Sequence, residues 1–142
     1  MTLSSSDLAF VRRNRSAAMV TVGDDGMAKV ARVGVAVVDD KIWSSGTADR
    51  RRTARLRADP RCTLYVYDDP FSWLALESDV TILEGPVVPQ LSLRLFRVMQ
   101  DKPEGPLSWF GGELGDDAFM QAMVDEGRVI YELDVTRAYG MH

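Results

Sequence analysis

Apolar and polar positions alternate with a period of two along most of this chain and shift to a helical period in four places. Leu8, Phe10 and Val11 mark a short amphipathic helix over residues 6–15, with Ser6 as its cap. Residues 17–22 read as a strand. Gly23-Asp24-Asp25-Gly26 is a turn with two glycines, so a hairpin follows. Residues 27–38 form a long strand built on Val30, Val33, Val35 and Val37. Its alternation breaks at Arg32-Val33-Gly34, which predicts a bulge or a close backbone approach at Gly34. Asp39-Asp40 turns the chain into a third strand over 41–45. A helix over roughly 50–58 comes next, with Asp49 as its cap and Asp59-Pro60 as its stop.

The second half continues in the same manner. Cys62, Leu64 and Val66 alternate with Thr63, Tyr65 and Tyr67 in a strand over 61–67. After Asp68-Asp69-Pro70, residues 71–84 form another strand; Trp73, Leu74, Ala75 and Leu76 predict burial on both faces for part of it. Residues 90–100 read as a strongly apolar helix, and 101–115 as a mobile loop rich in Gly and Pro that contains Trp109-Phe110. A helix over 116–126 presents Phe119, Met120 and Met123, and a last strand covers 128–135. About six strands joined mostly by hairpin turns predict a mainly β fold, an antiparallel β-barrel with α-helices at its edges rather than a parallel βαβ sheet. The length of 142 residues predicts a single domain spanning 1–142.

Composition narrows the chemistry. Hydrophobic content of 46% and charge of 27% fit an ordinary soluble globule, and no apolar run approaches the ~20 residues of a membrane span. The first residues lack the order of a signal peptide. Cys62 is the only cysteine, so the chain has no internal disulfide, which fits a reducing cytoplasm. The only histidine is His142, the last residue. Ser-His-Asp triads, Cys-His dyads and histidine-rich zinc sites are therefore disfavoured. Asp24-Asp25 and Asp116-Asp117 read as solvated turns and caps, without a third ligand for a metal. Walker and Gly-x-Gly-x-x-Gly loops are absent. If the chain is an enzyme, a bound cofactor carries the chemistry.

One segment stands out against a net charge of -4. Residues 50–61 hold six arginines and one aspartate, and Ser44-Ser45-Gly46-Thr47 leads straight into them. Hydroxyls, backbone N–H groups and guanidinium forks at a helix start are the means by which proteins hold phosphate. The competing reading is a solvated arginine-rich helix, and Arg55, Arg57 and Arg61 read that way.

Several segments together resemble the pyridoxamine 5′-phosphate oxidase-like split β-barrel superfamily. The likeness is strongest to its actinobacterial branch that uses the deazaflavin coenzyme F420. They are Met19-Val20-Thr21-Val22 with Gly26, Ile42-Trp43-Ser44-Ser45, the run Arg50-x-Arg52-Thr53-Ala54-Arg55-Leu56-x-x-Asp59-Pro60-Arg61, Phe71-Ser72-Trp73, and Val129-Ile130-Tyr131-Glu132-Leu133 with Tyr139-Gly140. The resemblance implies a split β-barrel homodimer with cofactor sites at the subunit interface. It implies that Arg50 and Arg52 grip the cofactor phosphate and the acidic tail beyond it. Where the superfamily often has lysine, Arg52 keeps the charge and adds a fork. Ser45 and Thr47 would supply hydroxyls, and Arg51 and Thr53 further donors. Arg32, Val33 and Gly34 would lie under the ring system. Phe71, Ser72 and Trp73 would come from the other subunit. The chain departs from the pattern at Ser78, where glycine is common, and at 101–115.

The resemblance thus implies an oxidoreductase that passes a hydride from deazaflavin to an electron-poor bond in a small or medium organic substrate. FMN is the alternative cofactor, and no catalytic side chain is assigned. A non-catalytic module that stores a flavin-like cofactor or heme is a second reading. The position of the only histidine disfavours axial heme ligation. RNA binding through the arginine helix is the weakest reading for an acidic chain, so nucleic acid and membrane are not expected as partners. By composition alone Trp73, Met120 and Met123 read as core, and Tyr131 and Tyr139 as structural. Trp109-Phe110 read equally as a substrate lid or a hydrophobic plug.

Overall fold

A computed structural model describes residues 3–142. Its organising constraint lies at a single residue. Strand β1 (Ser16–Val22) pairs with β2 (Ala28–Gly34), and β3 (Ala36–Val38) pairs with β4 (Lys41–Thr47), all antiparallel. With β5 (Arg61–Asp68), β6 (Ser72–Leu83) and β9 (Arg128–Met141) they form one seven-stranded sheet in the order β2-β1-β5-β6-β9-β4-β3. β2 and β3 are its two opposite edges, yet only Val35 separates them. The sheet must curl until its edges meet, and the result is a split β-barrel. The predicted bulge at Gly34 is in fact this edge-to-edge step. There the Val35 N–H bonds the Arg15 carbonyl (2.9 Å) and Ser44 Oγ donates to the Gly34 carbonyl (2.7 Å). A Cβ at position 34 would meet the terminal methyl of Met99, which would have to move aside.

The concave side encloses one apolar core. Met19, Ile42, Leu64, Val66, Leu74, Leu76, Val129 and Tyr131 fill it, and Phe10 and Val11 of α1 (Ser5–Arg13) pack into the same core. Ser4, not Ser6, caps α1: its side chain accepts from the Asp7 N–H. β6 buries Leu74, Ala75 and Leu76 in succession, as its sequence predicted; Ala75 sits in register between Tyr65 and Tyr139. A second core lies against the other side of the sheet, toward the Leu83 end of β6. There Trp43 and Ile130 meet Leu95 and Phe96 of α3 (Val88–Gln100) and Phe119 and Met123 of α4 (Asp116–Asp125).

Three expectations need correction. Residues 101–115 are not merely a loop: they contain a short hairpin, β7 (Leu107–Trp109) with β8 (Gly112–Leu114), turned through Phe110 and Gly111 at positive φ. Leu107 is buried, and Trp109 packs on Phe96 and Phe119. That apolar contact holds the segment against α3 and α4. β9 runs to Met141 rather than stopping at Val135, because it pairs along the full length of β6. The helix after β4, α2 (Arg51–Ala58), has Arg50 rather than Asp49 at its cap position, with no side-chain capping bond. The Asp49 carboxylate instead accepts from Thr47 Oγ1 (2.6 Å).

Cys62 faces the first core. Burial pushes its thiol pKa from 9.0 up to about 12. The folded chain should therefore resist maleimide labelling at pH 8 and react fully once unfolded in guanidinium. Because the unfolded thiol ionises first, Cys62 costs no stability below about pH 8. Between 9.0 and about 12 it favours unfolding increasingly as pH rises. A Cys62→Ala chain should lose that alkaline slope; an unchanged slope would count against the assignment.

Candidate functional site

The six arginines sort into two groups. Arg57 forks onto Glu84 (2.9 and 3.2 Å), and Arg61 onto Asp59, whose carboxyl it holds down at about 2. Arg55 is half-buried and donates to Thr21 Oγ1 (2.8 Å), so it is not the solvated residue its sequence predicted. Among the described residues, Arg50, Arg51 and Arg52 have no carboxylate partner. They open α2 directly beyond β4, where the first N–H groups of the helix lack intrahelical partners.

Arg52 is the inner member of the group. Its Nε is buried with no hydrogen-bond partner, and its guanidinium lies 5.7 Å above the Tyr131 ring. Burial pulls its pKa below the ordinary arginine value. Tyr131 opposes that fall, and the positive charges of Arg50 and Arg128 add to it. An anion set against these groups would relieve both the repulsion and the orphaned donor.

Tyr131 sets the position of this corner. It is fully buried on β9, and its phenol passes over Gly46 of β4, where any side chain would collide with it. The phenol hydroxyl bonds Thr53 Oγ1, which in turn donates to the Thr47 carbonyl (2.7 Å). The Thr53 proton is committed to that carbonyl, so Tyr131 donates and Thr53 accepts. Thr53 is thus engaged inward and fastens α2 to β4, while Ser45 and Thr47 lie on the other face of β4. Across from them, Arg128 is the register partner of Thr47, and its Nη1 reaches Ser45 Oγ at 3.5 Å.

The segment placed under the ring system adjoins this corner through the contact between Gly34 and Ser44. Val33 points into the core, so only its backbone is presented. Arg32 is exposed and donates to Ser16 Oγ (2.8 Å). Phe71, Ser72 and Trp73 are elsewhere. They begin β6, whereas its other end, Leu83, pairs with Ile130 next to the corner. Ten residues of extended strand separate the two groups by roughly 33 Å. Phe71 is 79% exposed, and with Tyr65, Tyr67, Trp73 and Met141 it lines an open aromatic groove. Sequence reasoning missed Arg128 and underrated Tyr131. Each lies far from the arginine run in sequence and reaches it only through strand register.

A curled antiparallel sheet with α1 and α2 packed into its inner core and α3 and α4 against its outer side defines a split β-barrel protein. The chain belongs to the pyridoxamine 5′-phosphate oxidase family, whose model matches residues 7–142. No curated protein sequence matches it. Solved structures share the fold. A conserved hypothetical protein from Mycobacterium tuberculosis has a TM-score of 0.74 at 21% identity, over 98% of this chain and 84% of that one. An F420 reductase has a TM-score of 0.66 at 22% identity, over 92% and 94%. A heme storage protein from Vibrio cholerae has a TM-score of 0.67 at 13% identity, over 99% and 96%. At these identities the likeness is one of fold.

Proposed function

We propose that this chain is an oxidoreductase that binds coenzyme F420 at a homodimer interface and serves hydride transfer to a small or medium organic substrate. The observation that carries this reading is Arg52, with its buried, partnerless Nε beside two further guanidinium groups. The donor set fits a phosphate: guanidinium forks from Arg50 and Arg52, free N–H groups at the start of α2, and the Ser45 hydroxyl. Membership of the family supports a flavin-like ring, and the fold shared with an F420 reductase supports the deazaflavin. Excess arginine at the corner favours a ligand with acid groups beyond its phosphate, whereas FMN ends there.

When bound, the deazaflavin supplies the hydride donor or acceptor. The chain's own residues anchor and orient it. Arg50 and Arg52 fix the phosphate end. The Arg32–Gly34 backbone, held by Ser44, offers a flat polar edge for the ring. A second copy would bring Phe71, Ser72 and Trp73, which no single chain can place near its own corner, and would exclude water from the ring face. The heme alternative has less support. The ring of His142 stacks on Phe10 (4.7 Å) and bonds Asp7 (2.7 Å), so it is engaged away from the corner.

A side-by-side fluorescence titration with coenzyme F420 and FMN tests the reading. Micromolar or tighter binding of the deazaflavin is expected, with FMN weaker by about tenfold, the effect of about one charge-assisted contact. Preferential FMN binding would move the protein to flavin chemistry. Binding of neither would overturn the assignment.

A further inference from the structure

The hairpin of β7 and β8 is linked to the cationic corner by contacts that the reading above leaves unused. The Arg128 side chain is only 10% exposed, and its Nε and Nη2 both donate to Glu126 Oε1 (3.0 and 2.7 Å). The other oxygen of Glu126 accepts from Trp109 Nε1 (2.8 Å), and the Arg128 guanidinium lies 5.0 Å above the Trp109 ring. Two of its three nitrogens are therefore fixed from one side. The third, Nη1, meets only Ser45 Oγ, at 3.5 Å, a distance at the long end for a hydrogen bond. A largely buried guanidinium held this firmly, with one edge left nearly free toward a hydroxyl at the corner, is preorganised for an anionic oxygen.

We propose that Arg128 is a further guanidinium of the anion site, its Nη1 edge taking a phosphate oxygen of the ligand while Glu126 and Trp109 hold it in place. The inference rests on the reading of the Arg50–Arg52 corner as a phosphate site and adds a residue to it from another element. Charge agrees. Arg50, Arg51, Arg52 and Arg128 outnumber the nearby carboxylates of Asp49 and Glu126 by two, and the surplus suits a phosphate with a further acid group beyond it. The contact also gives the hairpin a role: Trp109, whose indole carries Arg128, senses whether the anion is present. Glu126 is a positioning residue, since it acts through Arg128.

Inorganic pyrophosphate is the probe, followed by tryptophan emission and by calorimetry. Pyrophosphate is expected to change the emission of the wild-type chain. Trp109→Phe should abolish that change while calorimetry still detects binding. Arg128→Gln should weaken binding by about tenfold or more, with Arg128→Lys between it and wild type. Urea midpoints verify folding. If the glutamine variant does not fold, the lysine variant, which keeps the charge, carries the test. Unchanged affinity in the Arg128 variants, alongside weakened affinity in Arg52→Ala, would overturn this inference and leave the anchor reading intact. An emission change that survives Trp109→Phe would overturn the sensing role. Unchanged affinity in both sets, or no binding by the wild type, would overturn both readings.

Discussion

Arg52→Ala is expected to weaken coenzyme F420 binding by about ten- to a hundredfold, the loss of a charge-assisted contact of about 1.5–3 kcal/mol. The same change should move folding stability by less than about 1 kcal/mol. The asymmetry follows from its surroundings. No acidic partner is stranded by the substitution, and the side chain's buried Nε has no bond to lose. What the fold forfeits is a cation–π contact with Tyr131 at 5.7 Å. Relief of repulsion with Arg50 and Arg128 offsets part of that loss. Arg52→Lys should fall between the two, since it keeps the charge and lacks the fork. Arg51→Ala, at an exposed position, should cost less because water screens its charge. Fluorescence titration alongside urea unfolding measures both quantities. Unchanged affinity in Arg52→Ala would remove the basis of the anchor.

Gly46→Val is expected to be the most damaging single change at the site, costing about 3 kcal/mol or more of stability. A Cβ at this position collides first with the Tyr131 hydroxyl and then with its ring. Tyr131 is fully buried, so it cannot swing into solvent. Displacing it also breaks its bond to Thr53 and removes the surface on which Arg52 rests. Deazaflavin binding should therefore fall together with the urea midpoint. The milder Gly46→Ala separates collision from general strand effects. Adding Tyr131→Phe removes the atom nearest the new Cβ, so the double variant should recover part of the loss, a positive coupling in a double-mutant cycle. Strict additivity would show that the phenol is not what position 46 must accommodate.

Much of this arrangement was legible in the chain. Alternation in β1 and β5 reflects which side chains leave water. Burial acts on each residue in place, so it leaves its mark at a spacing of two. The arginine run after Ser44-Ser45-Gly46-Thr47 was visible as a local excess of charge, and the resemblance assigned it to a cofactor phosphate. Misreadings arose where a competing local option existed. Ser4 and Ser6 are equally good caps by type, and Asp49 had a nearer donor in Thr47. Residues 101–115 carry the Gly and Pro of a loop, and only contact with Phe96 and Phe119 makes Trp109 an anchor.

The sequence by itself determined the six longer strands, the four helices and the position of the cationic segment, because periodicity and charge density are properties of neighbouring residues. Tertiary structure alone decided which arginines stay free. Glu84 neutralises Arg57 across the fold, and Arg128 stands opposite Thr47 although 80 residues separate them in the chain. It alone decided that Gly46 must make room for Tyr131, and that Phe71–Trp73 lie a strand's length from the corner they were expected to complete. The physical reason is register. Pairing distant strands is set by closure of the sheet around its core, and that closure is a sum over many contacts that no local pattern records.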